Sequence, residues 1–267
     1  MDHDSQQDEL MRDKVCLVTG ATAGIGKATV GSLVRMGAEL IIVGRNEQKV
    51  QQVSTWLQGE RSSAVIHILC ADFEDLDQVR KLVDAIDSLH RPVDVLINNA
   101  GAFFNTRQST SYGVEKTFLV NHLAPFLLTT GLLERGALSD AARVIIVSSD
   151  GHRMGFLDFD DLEYHRGYFG MKGYARSKLA NLLFAYELDR KLRDSRITVN
   201  AVHPGHTATD IWRTNFGVVG PGLKWVMSLF ARTPEEGANT VIYVATDPSL
   251  EGVSGKYFAD RQVINSS

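Results

Sequence analysis

Six short runs dense in Val and Ile, most of them followed by a longer stretch of helical periodicity, constrain this chain more than any other feature. The runs are KVCLVT (14–19), ELIIV (39–43), VIHILC (65–70), VDVLIN (93–98), RVIIVSS (143–149) and ITVNAV (197–202). Near-continuous apolar runs of this length describe strands buried on both faces. Helical stretches lie between them at about 24–37, 46–58, 75–89, 111–135 and 174–193. In the last, Leu179, Leu182, Leu183, Tyr186 and Leu192 recur on one face, with most of the charged residues elsewhere. A helix near 234–246 and a strand near 256–260 complete the pattern. Strand–helix repetition builds parallel βαβ units with right-handed crossovers. The expected fold is therefore α/β: a doubly wound parallel sheet of about seven strands with helices on both faces.

The 267 residues contain no repeats, low-complexity tracts or linker-like stretches, so 14–267 reads as one domain behind a flexible polar N-terminus, 1–13. Two segments, about 150–173 and 207–233, read as substrate loops; the second, interrupted by Gly217, Gly220, Pro221 and Gly222, suits a functional loop or lid. The 28 basic and 32 acidic side chains leave a net charge of −4, which argues against nucleic acid as a partner. No run of eighteen apolar residues is present, so no membrane span is expected, and MDHDSQQDELMRDK does not resemble a signal peptide. Cys16 and Cys70, the only cysteines, both sit in strand-like runs and read as buried thiols in a reducing compartment. Together these features point to a cytoplasmic protein.

Directly after the first strand, Gly20, Gly24 and Gly26 punctuate a turn that opens the first helix, with Thr22, Ala23 and Ile25 between them. Glycine there permits a tight turn and close approach of backbone to a pyrophosphate, which the N–H groups of the helix end attract. This is the Rossmann-type signature of dinucleotide binding. A carboxylate at the end of the second strand would select NAD(H) by bonding the ribose 2′-hydroxyl. Here the strand ends Gly44, Arg45, Asn46, and a basic residue accommodates a 2′-phosphate, so NADP(H) is expected over NAD(H).

Gly20-x-x-x-Gly24-x-Gly26, Asn98-Asn99-Ala100-Gly101, Tyr174-x-x-x-Lys178 and Pro204-Gly205 stand in order at the spacing of the short-chain dehydrogenase/reductases, which the chain resembles from about 13 to 261. Within the short single-domain group, VSSDGHRMG, SKLANLLFAYEL and SGKYFADR look similar to retinol dehydrogenase-like and WW-domain oxidoreductase-like members. The resemblance implies a catalytic tetrad of Asn121, Ser149, Tyr174 and Lys178. It also implies cofactor contacts from Gly20, Thr22, Ala23, Gly24, Ile25, Gly26, Arg45, Asn46, Asp72, Phe73, Asn98, Ala100, Gly101, Tyr174, Lys178, Pro204, Gly205, Thr207 and Thr209, although Asn98-Asn99-Ala100-Gly101 also braces the central strand. His206-Thr207 departs from the family's usual apolar pair after Pro-Gly, so Thr207 and Thr209 share one expected contact.

The chemistry also has an independent argument. Tyr174 and Lys178 are four apart on one helix face, and a nearby ammonium favours phenolate, lowering the tyrosine pKa toward a useful acid/base. Ser149 would hydrogen-bond the substrate oxygen, and Asn121 would hold a water linking Lys178 to solvent. The expected reaction interconverts an alcohol and a carbonyl. Phe156, Phe159, Tyr164, Tyr168 and Phe169 in one loop, and Trp212, Phe216, Trp225, Met227 and Phe230 in the other, suit an apolar aldehyde, ketone, retinoid or steroid-like substrate. They serve equally well as loop anchors. The scattered histidines 152, 165, 203 and 206 lack ligand spacing, so no metal is expected. A homodimer through 111–135 and 174–193 is possible by resemblance, although apolar faces there also suit core packing. A competing class is an NADP(H)-binding regulatory or scaffold protein without turnover. Such proteins usually lose a tetrad member, and none is lost here. A dehydratase or isomerase using the same tyrosine is a third class.

Overall fold

A computed structural model describes residues 9–205 and 233–266. Its strands, β1 Val15–Thr19, β2 Glu39–Gly44, β3 Ile66–Cys70, β4 Val93–Asn98, β5 Leu138–Val147, β6 Thr198–His203, β7 Tyr257–Ala259 and β8 Gln262–Val263, form one sheet ordered β3-β2-β1-β4-β5-β6-β7-β8. β1 to β7 run parallel, and β8 pairs antiparallel with β7. The eighth strand is two residues long, too short to leave a sequence signal. The principal helices are α1 Gly24–Arg35, α2 Glu47–Glu60, α3 Leu76–Asp87, α4 Ala124–Glu134, α5 Gly170–Lys191 and α6 Pro234–Thr246.

Each core strand feeds two apolar layers because its side chains alternate faces. Leu17, Leu96, Val144 and Ile146 pack on one side with residues of α3, α4 and α5; Val18, Ile97, Ile145 and Val202 pack on the other with α1, α2 and α6. The runs at 39–43 and 93–98 are buried accordingly. VIHILC is not: β3 is an edge strand of half-buried residues, and Cys70 at its end is exposed while Cys16 is fully buried. An edge strand has a neighbour on one side only, which apolarity of the run cannot reveal. The N-terminus also packs earlier than expected. Met11 is buried and donates its N–H to Met36 O at 2.8 Å, and Arg61 binds Glu9 at 2.7 Å.

The helix expected over 111–135 starts only at Lys116. It runs through one turn, Lys116–Phe118, then a π-helical turn, Leu119–Leu123, before α4. Glu115 caps it, its carboxylate accepting the N–H groups of Thr117 and Phe118 at 2.8 and 2.9 Å. A π turn widens the hydrogen-bond ring and commonly marks functional positions. Asn121 lies inside it.

Strand order reverses between β1 and β4, opening a crevice at their carboxyl ends. Thr19 stitches that crevice. Its Oγ1 accepts from Asn99 N at 3.1 Å and Ala100 N at 3.0 Å and donates to Ile97 O at 3.4 Å. Asn99 Nδ2 donates back to Thr19 O at 2.9 Å and Gly20 O at 3.3 Å. Thr19→Val keeps the shape but leaves two N–H groups without an acceptor. The variant should lose about 2–6 kcal/mol in urea unfolding, at about one to three per unpaired group. A loss below about 0.5 kcal/mol, within the range of an ordinary surface change, would contradict this role.

Candidate active site

The glycine turn leaves β1 with Gly20 at φ +68° and Gly24 at φ +52°. A Cβ on Gly26 would stand 2.2 Å from Gly20 O, so only glycine lets α1 start this close to the turn. Ala23 occupies the N-cap without a side-chain cap, and the first turn of α1 holds no acid. The first-turn N–H groups of α1 thus have neither a side-chain cap nor an acid of their own turn to satisfy them, directly after Gly20 and Thr22 of the cleft wall. That arrangement fits a pyrophosphate.

The cleft, about 220 Å³, is lined by Gly20, Thr22, Arg45, Asp72, Phe73, Ala100 and Gly101 of the expected residues, and by Gly44 beside Arg45. Val43, Ala71, Glu74, Ala102 and Val120 line it as well. Glu74 is the informative addition. Its carboxylate meets Arg45 Nη1 at 3.4 Å and Lys116 Nζ at 2.7 Å. Asp72 accepts the Glu74 N–H at 3.0 Å, which places the acid two residues beyond the one expected from sequence. Asn46 caps α2 through Lys49 N at 2.9 Å, and Ile25 is buried. Asn98 is turned inward, its Nδ2 donating to Thr129 Oγ1 at 2.9 Å, so its amide braces β4 against α4 instead of facing the cleft. Pro204 and Gly205, at φ +83°, follow β6; Thr207 and Thr209 and the loop 207–233 lie almost wholly outside the described residues.

Beyond Gly101 the cleft meets the four polar side chains expected to act. A Cβ on Gly101 would lie 3.4 Å from Asn121 Oδ1 and 3.8 Å from Lys178 Nζ. A Cβ on Gly151 would lie 3.4 Å from Ser149 Oγ and 3.8 Å from Tyr174 Cε1. Ser149 and Tyr174 are hydrogen-bonded through their side chains. Lys178, four residues on along α5, donates from Nζ to Val147 O at 2.9 Å and lies 5.5 Å from the centre of the Tyr174 ring. Asn121 differs from expectation. Its Oδ1 accepts Ala102 N at 2.7 Å, and its Nδ2 donates to Ala102 O at 2.9 Å and Ser177 Oγ at 3.0 Å. Its carbonyl accepts Asn181 Nδ2 at 2.9 Å, so the residue clamps the wall of the site to α5.

The electrostatics also differ from the local argument. Burial pushes the Tyr174 phenol up to about 12, and the Ser149 hydrogen bond pulls against that rise. Burial pushes the Lys178 ammonium down to about 8. Desolvation disfavours both charged forms here and outweighs the pairing that spacing alone suggested.

Among the described residues no group of three His, Cys, Asp or Glu side chains could hold a metal ion, and no helix is long and apolar enough to cross a membrane. With that geometry in place, comparison with known proteins defines the class. The short chain dehydrogenase family model matches residues 14–217, and the chain belongs to that family, whose members are oxidoreductases binding NAD(P). Human retinol dehydrogenase 14 is 38% identical over 271 residues, covering 94% of this chain and 79% of the relative. Human polyprenol dehydrogenase is 38% identical over 260 residues, covering 95% and 79%. A solved structure from Escherichia coli CFT073, described as a short chain dehydrogenase complexed with NADPH, aligns with a TM-score of 0.74 at 25% identity, covering 94% of this chain and 98% of that one.

The Lys178 shift has a consequence for stability. The unfolded lysine, near 10.5, binds more protons than the folded one between about 8 and 10.5, so stability rises with pH across that window. Above about 10 the buried phenol works in the opposite direction, because the unfolded tyrosine ionises first. Lys178→Met should abolish the rise and be no less stable at pH 7 in chemical unfolding. An unchanged rise in the variant would contradict the assignment.

Proposed function

We propose that this chain is an NADP(H)-dependent oxidoreductase that interconverts an apolar alcohol and its carbonyl, with Tyr174 as general acid/base. The observation that carries the reading is the convergence of Ser149, Tyr174, Lys178 and Asn121 at the end of the glycine-lined cleft. A bound nicotinamide dinucleotide supplies the hydride chemistry at the substrate carbon. The protein's own work is at the substrate oxygen. In the reducing direction Tyr174 Oη gives its proton to that oxygen while Ser149 Oγ hydrogen-bonds it; in the oxidising direction the phenolate takes the proton back. Lys178 lies close enough to stabilise the phenolate when charged, and Asn121 keeps the Ala102 wall and α5 in register.

Four features support the cofactor and substrate. The uncapped start of α1 suits a pyrophosphate, and Arg45 lines the cleft and would suit a 2′-phosphate. The Arg45–Glu74 contact is long and exposed, hence weak, and Glu74 is held more closely by Lys116. Arg45 can therefore exchange this partner for a phosphate at little cost. On the substrate side, Met154, Phe156, Phe159 and Phe169 expose apolar surface on the segment between Ser149 and α5. The relatives are named for retinol and polyprenol, both long apolar alcohols, and a substrate of that class suits this surface.

Tyr174→Phe should lower kcat by about 10²–10⁴-fold, the range of general acid/base catalysis, while nucleotide affinity by fluorescence titration stays within about threefold, less than the factor of ten set by 1.4 kcal/mol. Retained turnover would remove Tyr174 from the chemistry. Arg45→Ala should lower the ratio of NADPH to NADH affinity roughly tenfold or more, the value of one charge-assisted contact. An unchanged ratio would place the 2′-phosphate elsewhere.

A further inference from the structure

Ser149 leaves β5 into a tight 3₁₀ turn, Asp150–Met154, and its hydroxyl accepts the Gly151 N–H at 3.2 Å. Its carbonyl is held from two directions, by His152 N at 3.0 Å and by His152 Nδ1 at 2.7 Å. The imidazole is 2% exposed, although Arg153 and Met154 beside it are exposed. What covers it comes from far along the chain. After β7 the backbone reverses through Asp260 and Arg261, both at positive φ, into β8 and then the segment 264–266. His152 Nε2 meets the Ser266 carbonyl, and Arg153 Nη2 donates to the Asn265 carbonyl at 2.7 Å while its Nε binds Asp150 at 2.6 Å. Tyr257 on β7 closes the other side, its ring edge-on to the imidazole at 5.0 Å and its hydroxyl 3.4 Å from Nδ1.

A side chain with one nitrogen against the carbonyl of Ser149 and the other against that of Ser266 connects two segments 117 residues apart. The 149–150 peptide is the anchor from which Ser149 Oγ projects toward Tyr174, and His152 restrains its orientation. We propose that His152 is a positioning residue, through which the segment 264–266 and Tyr257 hold the Ser149 hydroxyl at the substrate oxygen and against Tyr174. The inference rests on the catalytic reading of Ser149 and Tyr174 given above. Its physical basis is the steep dependence of rate on alignment, where a displacement of about 1 Å costs on the order of 10²-fold. A residue that only fills space would act independently of Ser149, whereas a residue that positions Ser149 has nothing to position once the hydroxyl is gone.

The test is a double-mutant cycle on the full chain, reading kcat for an apolar aldehyde with saturating NADPH. Ser149→Ala should lower kcat strongly. His152→Ala should lower it about 10- to 100-fold in the native background, the scale of such misalignment, and less than about threefold in the Ser149→Ala background, as coupled residues require. Nucleotide KM should stay within about twofold, because no contact in the dinucleotide cleft changes. Two conservative variants separate the contacts and serve if the alanine variant folds poorly. His152→Asn can return an amide to the place of Nδ1 and should restore most of kcat; His152→Gln reaches toward Ser266 instead and should not. Equal losses in both backgrounds, or full activity in His152→Ala while Ser149→Ala collapses, overturns the positioning role and leaves the catalytic reading intact. Unchanged kcat in Ser149→Ala overturns both, the catalytic reading first.

Discussion

The site depends on the knot that Thr19, Asn99 and Gly20 tie between β1 and β4. Two parallel strands that separate at their carboxyl ends leave backbone donors and acceptors without partners, and buried groups of that kind cost about 1–3 kcal/mol each. Here one hydroxyl and one carboxamide absorb five hydrogen bonds across the gap. With the gap held, Gly20 and Gly26 approach within van der Waals contact, and α1 begins, without a side-chain cap, directly after Gly20 and Thr22 of the cleft wall. Ala100 and Gly101 on the β4 side then line the same cleft and extend it to Asn121 and Lys178. In the proposed function one local structure would thus place both the nucleotide and the reacting group.

Much of this is visible in the sequence because it follows from local spacing. Glycine positions report backbone conformation directly, and the pair Tyr174 and Lys178, four residues apart, lands on one face of α5 regardless of the rest of the fold. The six apolar runs located six strands for the same reason, and the stretch near 256–260 a seventh. Other features depend on what packs against a residue. Cys70 looked like a core residue and is exposed, because β3 has no neighbour beyond it. Asn98, read as a cofactor contact and also as a brace for the central strand, turns its Nδ2 to Thr129, a contact that spacing alone does not show. Glu74 left no mark as a cleft residue, and its relation to Arg45 and Lys116 appears only when β2, β3 and the turn before α4 come together.

The titrations of Tyr174 and Lys178 are the clearest case of a global property outweighing a local one. Helical spacing brings an ammonium near a phenol, which by itself favours phenolate. The fold then places both groups in a nearly water-free wall, where each resists ionisation. In the proposed reaction, a general acid that holds its proton tightly would suit delivery onto a developing alkoxide, and the reverse direction would call on Ser149 and the charge of Lys178 to stabilise the phenolate. The same wall explains why Asn121 sits in a π turn: the widened turn lets its side chain and carbonyl join the Ala102 backbone to α5.

Transfer of label from the nucleotide tests the central account most directly. NADPH deuterated at nicotinamide C4 would be incubated with a long-chain apolar aldehyde and the protein, and the product alcohol examined by mass spectrometry. The account predicts one deuterium on the carbinol carbon, abolished in Tyr174→Phe. Tight NADPH binding with no labelled alcohol from any member of a broad panel of apolar aldehydes and ketones would contradict it and favour a nucleotide-binding protein without turnover.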